Sequence, residues 1–265
     1  MGMYLKEVVY MLAKMILRNA ALCAALSFPF WMSFVPSAEA SAVTPVYPET
    51  VLCPVPDSFT GMNKADRSRI GEALAKTKTA EKTDQIILVI GHSLSLWNKG
   101  KDGSWTSDSD VETYCGLGKN GLSSSRHEGD STTPVGSYPV LYGFGRKSNP
   151  GTKLEYRKVT PHSYVSGERD ETYNTWVESS KPLSDDSEHL IDYYQYDYAM
   201  NFGFNLDPTV VGKGSAIFVH CKSNDHWTTA GCIGIPKPLM IDLLKKSHKG
   251  EYILIVPTEK ELANY

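Results

Sequence analysis

The chain has 265 residues, of which 41% are hydrophobic and 22% are charged, a composition typical of globular proteins. Wholesale disorder and fibrous repeats are therefore excluded. Lysine and arginine total 27 against 30 acidic residues, which gives a formal net charge of −3. A protein that binds nucleic acid by neutralising phosphates needs a basic surplus, so the charge argues against a nucleic-acid partner.

The first 40 residues have the pattern of a signal peptide. Lys14 and Arg18 precede an uncharged stretch, and Ala38-Glu39-Ala40 places small residues at −3 and −1 of a cleavage site. The alternative is an uncleaved membrane anchor, because residues 19–38 are just long enough to span a bilayer. Pro36 within this stretch disfavours the anchor. We expect cleavage after Ala40 and a protein that works outside the cytoplasm.

Removal of the signal leaves four cysteines: Cys53, Cys115, Cys221 and Cys232. An oxidising compartment favours disulfides, and four cysteines allow three connectivities. One interpretation is two structural bridges. The other is a single bridge, with at least one thiol kept for chemistry. A Cys53–Cys115 bridge is the pairing we expect first.

The pattern along the mature chain predicts a mainly β domain after a lead-in over residues 41–84. Asn63 is a capping residue followed by apolar residues at helical spacing, which predicts a helix within the lead-in. The apolar run over residues 85–90 predicts a buried strand, and residues 98–103 predict the turn of a hairpin. The later predicted elements are strands over 111–115, 215–221 and 253–256, a single helix over 239–246, and a tail over 258–265.

Two segments are difficult to assign to the core. Residues 145–190 are polar and aromatic, which predicts a long loop-rich insertion that serves as a lid or binding wall. The aromatic side chains over residues 193–204 are interpreted as core or edge packing rather than a recognition surface. The run from Gly116 to Gly121 is rich in glycine but lacks the Gly-Lys-Ser/Thr ending of a phosphate-binding loop.

Residues 216–236 contain the candidate chemistry. Side chains alternate along a strand, so His220 faces away from Cys221, which is expected to be a small buried hydrophobe. Cys232 follows Gly231, which permits a tight turn with backbone N–H groups, including that of Ile233, around the thiol. An intervening loop of eleven residues can bring Cys232 beside His220. The imidazole would then lower the pKa of the cysteine.

Several alternatives remain open for this segment. His220, Cys221, His226 and Cys232 are possible zinc ligands by type, although their spacing matches no common zinc pattern, and we expect no metal. A Cys221–Cys232 disulfide beside an uninvolved histidine is a second alternative. The group that orients His220 is also open; the candidates are Ser223, Asn224, Asp225 and a backbone carbonyl.

Two motifs resemble the L,D-transpeptidase catalytic domain of the YkuD type. Thr229-Ala230-Gly231-Cys232-Ile233 resembles the cysteine motif of that family, and Phe218-Val219-His220 resembles its histidine strand. Upstream, the stretch from Arg126 to Gly136 is similar to the family's Arg-x-Gly-Asp-x-x-Thr-Pro-x-Gly, with one extra residue between Arg and Gly. The likeness covers residues 85–257.

The resemblance implies a β-sandwich-like YkuD fold with few short helices and a secreted enzyme that acts on peptidoglycan stem peptides without a cofactor. Cys232 would attack the third stem residue, release the terminal D-alanine and pass the acyl group to another stem, forming a 3-3 cross-link. His220 would act as general base and then acid. Backbone N–H groups at Gly231, Cys232 and Ile233 would stabilise the oxyanion. The protein would be wall-associated or periplasmic, with a membrane partner only if the signal is uncleaved.

Departures from the family pattern affect the substrate more than the chemistry. Cys221 stands where many members have glycine, and Gly234 stands where many have arginine. Water as the acceptor would give an L,D-carboxypeptidase, and a wall-binding module without catalysis is a further alternative. The candidate substrate-binding residues are His226, Trp227, Arg126 and Thr229. For the two loop residues, His226 and Trp227, bracing of the loop is the favoured alternative, and an exposed arginine is more often solvated.

If the signal is cleaved, the exported protein begins at Ser41. Sequencing the N-terminus of the protein recovered from outside the cytoplasm checks this. A chain that retains its initiating methionine there contradicts cleavage and supports the anchor.

Overall fold

The computed structural model describes residue 56 and residues 59–265. The predicted signal peptide, its cleavage site and Cys53 lie outside the described residues. Within the described part of the chain, no helix is long and apolar enough to cross a bilayer.

The predicted lead-in helix is confirmed as α1 (Lys64–Leu74). Asn63 caps it through a reciprocal pair of hydrogen bonds: its side chain accepts from the Asp66 amide at 3.0 Å, and the Asp66 carboxylate accepts from the Asn63 amide at 3.3 Å. Ile70 and Leu74 are buried, so α1 packs its apolar face onto the sheet that follows.

The described residues contain fourteen strands, a second helix and three 3-10 helices. In chain order the strands are β1 (Gln85–Ile90), β2 (Ser93–Lys99), β3 (Trp105–Tyr114), β4 (Leu122–Ser123), β5 (Thr133–Pro134), β6 (Gly136–Gly145), β7 (Tyr156–Lys158), β8 (Ser163–Val165), β9 (Trp176–Glu178), β10 (Glu188–His189), β11 (Ala199–Phe202), β12 (Phe218–Cys221), β13 (Ile233–Ile235) and β14 (Tyr252–Val256). The helices are α2 (Lys237–Lys246) and the 3-10 turns Leu190–Asp192, Tyr194–Asp197 and Glu259–Asn264.

Nine of these strands form one mixed sheet in the order β13-β12-β11-β6-β14-β1-β2-β3, with β7 paired beside β6. Both faces of this sheet are covered by buried clusters, which explains why the sequence of β1 is a continuous apolar run. Ile86 and Leu88 face the cluster that includes α1, whereas Ile87 and Val89 face the larger cluster that includes α2. The predicted mainly β fold with few helices is confirmed.

Several element boundaries differ from the prediction. The short strand expected over 111–115 is the second half of β3, whose pairing with β2 shifts register between Ser95 and Leu96. The strand expected over 215–221 begins only at Phe218, because Ala216 has a positive φ of 52°. The expected tail contains a 3-10 helix, and the Tyr265 carbonyl accepts from the Thr79 amide at 2.8 Å.

The insertion over residues 145–190 is rich in loops, as predicted, but short strands and buried side chains anchor it to the main sheet. Strands β8, β9 and β10 form a separate three-stranded sheet. Val165, Leu190 and Tyr196 join Phe144 and Phe218 of the main sheet in one buried cluster. Strands of two or three residues are too short to show a period of two in the sequence, so this sheet escapes a periodicity search.

The glycine-rich run has a structural role beside β13. Gly116 and Gly234 exchange two backbone hydrogen bonds of 2.8 and 3.0 Å. A Cβ atom on Gly116 would lie 1.8 Å from the Trp227 carbonyl oxygen. Glycine is therefore required here, because the loop that leads to Cys232 crosses directly over its Cα.

Replacing this glycine by alanine (Gly116→Ala) should destabilise the protein by about 1–3 kcal/mol, because the backbone of the crossing loop must shift. Urea unfolding checks this. Gly203→Ala is the matched control, since its nearest contact would be the Pro139 side chain at 3.2 Å. Equal free energies of unfolding for the two variants would contradict the argument.

Candidate active site

The pairing of β12 with β13 brings Cys232 and His220 to one face of the sheet. The strands are parallel, with Val219 opposite Ile233 and His220 opposite Gly234. Extending this register places Cys232 opposite Phe218, two residues before His220. Residues two apart on a strand share a face, so the sulfur and the imidazole lie on the same side.

The Cys232 thiol is buried, with 8% of the residue exposed. Its sulfur accepts from the Phe218 amide at 3.3 Å and donates to the Ala216 carbonyl at 3.2 Å. Burial raises the pKa of the thiol to about 12; the Glu188 carboxyl adds to the rise, while the Phe218 amide and Arg126 oppose it. The resting sulfur is therefore a protonated thiol.

His220 is oriented by a backbone carbonyl, which resolves the choice left open by the sequence. Its Nδ1 lies 2.8 Å from the carbonyl oxygen of Cys221. A carbonyl only accepts, so Nδ1 carries the proton and Nε2 keeps its lone pair. Burial lowers the pKa of His220 to about 4, although this hydrogen bond opposes the shift. The imidazole is neutral at neutral pH and is set up to accept a proton.

This geometry corrects the expectation that His220 lowers the pKa of Cys232. Among the described residues the thiol bonds to backbone groups of Ala216 and Phe218, not to the imidazole. Burial then dominates both groups and favours their neutral forms. The resting pair is thiol and imidazole, not thiolate and imidazolium.

The turn before Cys232 is held by Thr229. The Thr229 hydroxyl donates to the Cys232 carbonyl at 2.7 Å and accepts from the Gly231 amide at 3.1 Å. The Gly231 N–H is thus already engaged, which argues against its expected part in an oxyanion hole. The Cys232 amide has no hydrogen-bond partner among the described residues. Ile233 lies within β13, in register with Val219.

The two loop residues expected at the substrate contact other parts of the protein. His226 is exposed and its Nδ1 lies 2.9 Å from the Thr228 carbonyl oxygen. The Trp227 ring meets the Tyr114 ring edge-on at 4.8 Å, and the Lys222 ammonium lies 4.8 Å from its centre. These contacts brace the loop.

Arg126 is buried rather than exposed, which corrects the expectation of a solvated side chain. Only 2% of its side chain is accessible. A Cβ on Gly231 would lie 2.7 Å from Nη1 of Arg126, so the guanidinium lies directly against the turn that precedes Cys232.

Sequence reasoning missed two residues at the site: Glu188 of the insertion and Tyr196 of the aromatic segment that follows it. The Tyr196 ring lies edge-on to the His220 ring, with centres 5.6 Å apart, and its hydroxyl also interacts with the Cys232 sulfur. That hydroxyl donates to Glu188 at 2.5 Å. Burial raises the pKa of Glu188 to about 7. The aromatic run over residues 193–198 is the sequence signal for this contact. Its separation along the chain from the histidine and cysteine motifs gives no indication that Tyr196 contacts His220 and Cys232.

The described residues also bear on the two remaining alternatives for the cysteines, a disulfide and a metal site. Cys221 and Cys232 are free thiols, so they form no disulfide with each other. Cys115 is also a free, fully buried thiol, and Cys53 lies outside the described residues. No group of histidine, cysteine or carboxylate side chains in the described region is arranged to hold a metal ion.

The domain is thus a mainly β fold that places a cysteine and a backbone-oriented histidine on one sheet face. The model of the YkuD family, the L,D-transpeptidase catalytic domain, matches residues 85–256. The chain therefore belongs to the YkuD family of L,D-transpeptidase catalytic domains. This family consists of enzymes that modify peptidoglycan.

The chain is also similar to solved structures, whereas the comparison with curated proteins gives no match. Bd1075 from Bdellovibrio bacteriovorus is 13% identical, with 71% of this chain and 55% of that chain covered and a TM-score of 0.36. The helical cell shape determining protein Pgp2 from Campylobacter jejuni is 14% identical (74% and 60% covered, TM-score 0.38). An L,D-transpeptidase from Stackebrandtia nassauensis is 12% identical (71% and 65% covered, TM-score 0.34).

The alkylation rate of Cys232 by iodoacetamide should rise about tenfold per pH unit between about pH 6 and pH 9, because the reactive thiolate is a minor species throughout. Peptide mass spectrometry distinguishes this site from Cys115 and Cys221. A plateau within that range would reveal a thiolate–imidazolium pair and contradict the neutral resting state.

Proposed function

We propose that the protein is a secreted, cysteine-dependent peptidoglycan L,D-transpeptidase that forms 3-3 cross-links through a thioester. The observation that supports this most directly is the pair of Cys232 and His220 on one sheet face, with the imidazole oriented by the Cys221 carbonyl. The family of the domain supplies the substrate class, a peptidoglycan stem peptide.

In the acylation step the thiol rotates about χ1 away from the Ala216 carbonyl and transfers its proton to Nε2 of His220. Sγ attacks the carbonyl carbon of the third stem residue, and a C–S bond forms. The Cys232 amide donates to the resulting oxyanion. The C–N bond to the terminal D-alanine then breaks as His220 returns the proton to the leaving amine. The products are a thioester and free D-alanine.

In the second step a side-chain amine of another stem peptide attacks the thioester carbonyl. The amine loses a proton through His220, the C–S bond breaks and Cys232 leaves as a thiol after receiving that proton. An amide bond replaces the one that was broken, so the sequence needs no cofactor and no energy source. Water in place of the amine would release a shortened stem, which is the L,D-carboxypeptidase reaction.

The burial of the sulfur favours the amine over water as acceptor. Cys232 shares a buried cluster with Val165 and Leu190, and Tyr196, at 3% exposure, lies against both Cys232 and His220. A covered thioester is protected from bulk water, and a bound acceptor then competes effectively. We therefore place transpeptidation ahead of trimming.

Gly234 lies beside the imidazole, at the position where many family members have an arginine two residues after the cysteine. A Cβ at this position would lie 3.8 Å from Cε1 of His220. It would lie closer still to Lys222, 3.3 Å from its Cα, so the chain itself fills the space beside the ring. Arginine is therefore not a determinant of acceptor choice at this position in this chain.

Cys232→Ala should abolish both released D-alanine and cross-linked dimers, because no thioester forms. Cys221→Ala, a buried thiol on the opposite face of β12, is the matched control and should retain activity. His220→Gln should lower kcat by about 10²–10⁴-fold through loss of the general base. Mass spectrometry of muropeptides after incubation with purified protein measures all three.

The products distinguish the competing functions. Dimers linked between third residues support the transpeptidase, whereas shortened monomers alone support the carboxypeptidase. Stem-peptide binding that survives Cys232→Ala, with no product from the unmodified protein, would establish a wall-binding module and overturn the enzymatic proposal.

A further inference from the structure

The Arg126 guanidinium occupies a slot between two glycines. A Cβ on Gly231 would lie 2.7 Å from Nη1, and a Cβ on Gly214 would lie 2.8 Å from Nε. The Phe204 ring centre lies 5.5 Å from the guanidinium carbon. A side chain at either glycine would collide with Arg126, so the backbone is shaped around a buried cation.

The nearest anion to this cation, Asp130, forms only a loose ion pair with it. Nε and Nη1 are buried and have no hydrogen-bond partner among the described residues. Asp130 lies 3.9 Å from Nε, which is too long for a hydrogen bond. Its Oδ1 accepts from the Thr132 amide at 2.8 Å, and its Oδ2 accepts from the His127 amide at 2.8 Å. A buried charge without a tight pair is costly, so its retention requires an explanation.

The charge lies next to the atoms that become negative during catalysis. Gly231, which Nη1 contacts, directly precedes Cys232. Arg126 lowers the pKa of the Cys232 thiol, against burial and the Glu188 carboxyl, which raise it. In a buried site of low dielectric constant, a fixed cation interacts strongly with a forming anion.

We propose that Arg126 is a positioning residue of the catalytic site: its buried positive charge, held behind the Gly231–Cys232 turn, stabilises the thiolate and the oxyanion that form there. This inference depends on the proposed use of Cys232 as a nucleophile. It replaces the expectation that Arg126 binds a stem carboxylate, because both unpartnered nitrogens face the interior beside glycine backbone.

The test measures the alkylation of Cys232 by iodoacetamide at about pH 8, which requires no turnover. Arg126→Met should slow alkylation by about tenfold or more and move the pH–rate profile to higher pH, since one pKa unit corresponds to a tenfold change in thiolate. Arg126→Lys, which keeps the charge, should retain most of the rate. Arg146→Met is the control, because Arg146 pairs with Asp197 at 3.6 Å, and should leave the rate unchanged.

Asp130→Asn supplies a reciprocal test that does not remove the arginine. It removes the nearest negative charge, so Arg126 acts more strongly on the sulfur and alkylation should become faster. This variant decides the question if Arg126→Met fails to fold. The other side chains that act on the thiol, Glu188 and Tyr196, are unchanged in every variant.

Equal alkylation rates in Arg126→Met and the unmodified protein would overturn the proposal, as would an unchanged or slower rate in Asp130→Asn. On stem peptides the proposal expects a lower kcat with an unchanged KM, and a rise in KM alone would instead indicate substrate binding. Failure of the unmodified protein to process peptidoglycan would reject the proposed function. The alkylation rates would still show whether Arg126 acts on the Cys232 thiol, because alkylation requires no turnover.

Discussion

The site depends on the register between β12 and β13. With Val219 opposite Ile233, the sulfur of Cys232 falls on the same face as the imidazole of His220. A slip of one residue would turn every side chain of β13 to the other face and separate the two groups. The two hydrogen bonds between Gly116 and Gly234 and the Thr229 hydroxyl bonded to the Cys232 carbonyl hold this register from outside the pair. The placement of Cys232 and His220 on one face therefore depends on sheet pairing as much as on the cysteine motif.

The 3-10 helix Tyr194–Asp197, which follows the insertion, adds a second constraint because it contacts both His220 and the loop between His220 and Cys232. The Tyr194 hydroxyl accepts from the Asn224 amide at 2.8 Å. Tyr196 meets His220 from the same 3-10 helix. These contacts explain why the sulfur is buried although its motif lies at the end of an irregular loop. The neutral state of the thiol follows from this cover.

The sequence was sufficient for features that depend on local pattern. Apolar runs identified β1 and β14, the capping residue Asn63 identified α1, and strand alternation separated His220 from Cys221. It was insufficient where distant segments meet. The pKa of Cys232 depends on burial by the insertion, and the slot for Arg126 is built from Gly214 and Gly231, which are separated from it along the chain. The three-residue strands of the insertion are too short to produce a detectable period.

Burial of Cys232 also affects how long its thiol stays reduced. Oxidants and disulfides react with the thiolate, and a sulfur with a pKa of about 12 is almost entirely un-ionised at neutral pH. Cys115 and Cys221 are protected in the same way, at 0% and 3% exposure. A buried, protonated thiol can therefore persist in surroundings that would convert an exposed one to a disulfide or sulfenic acid.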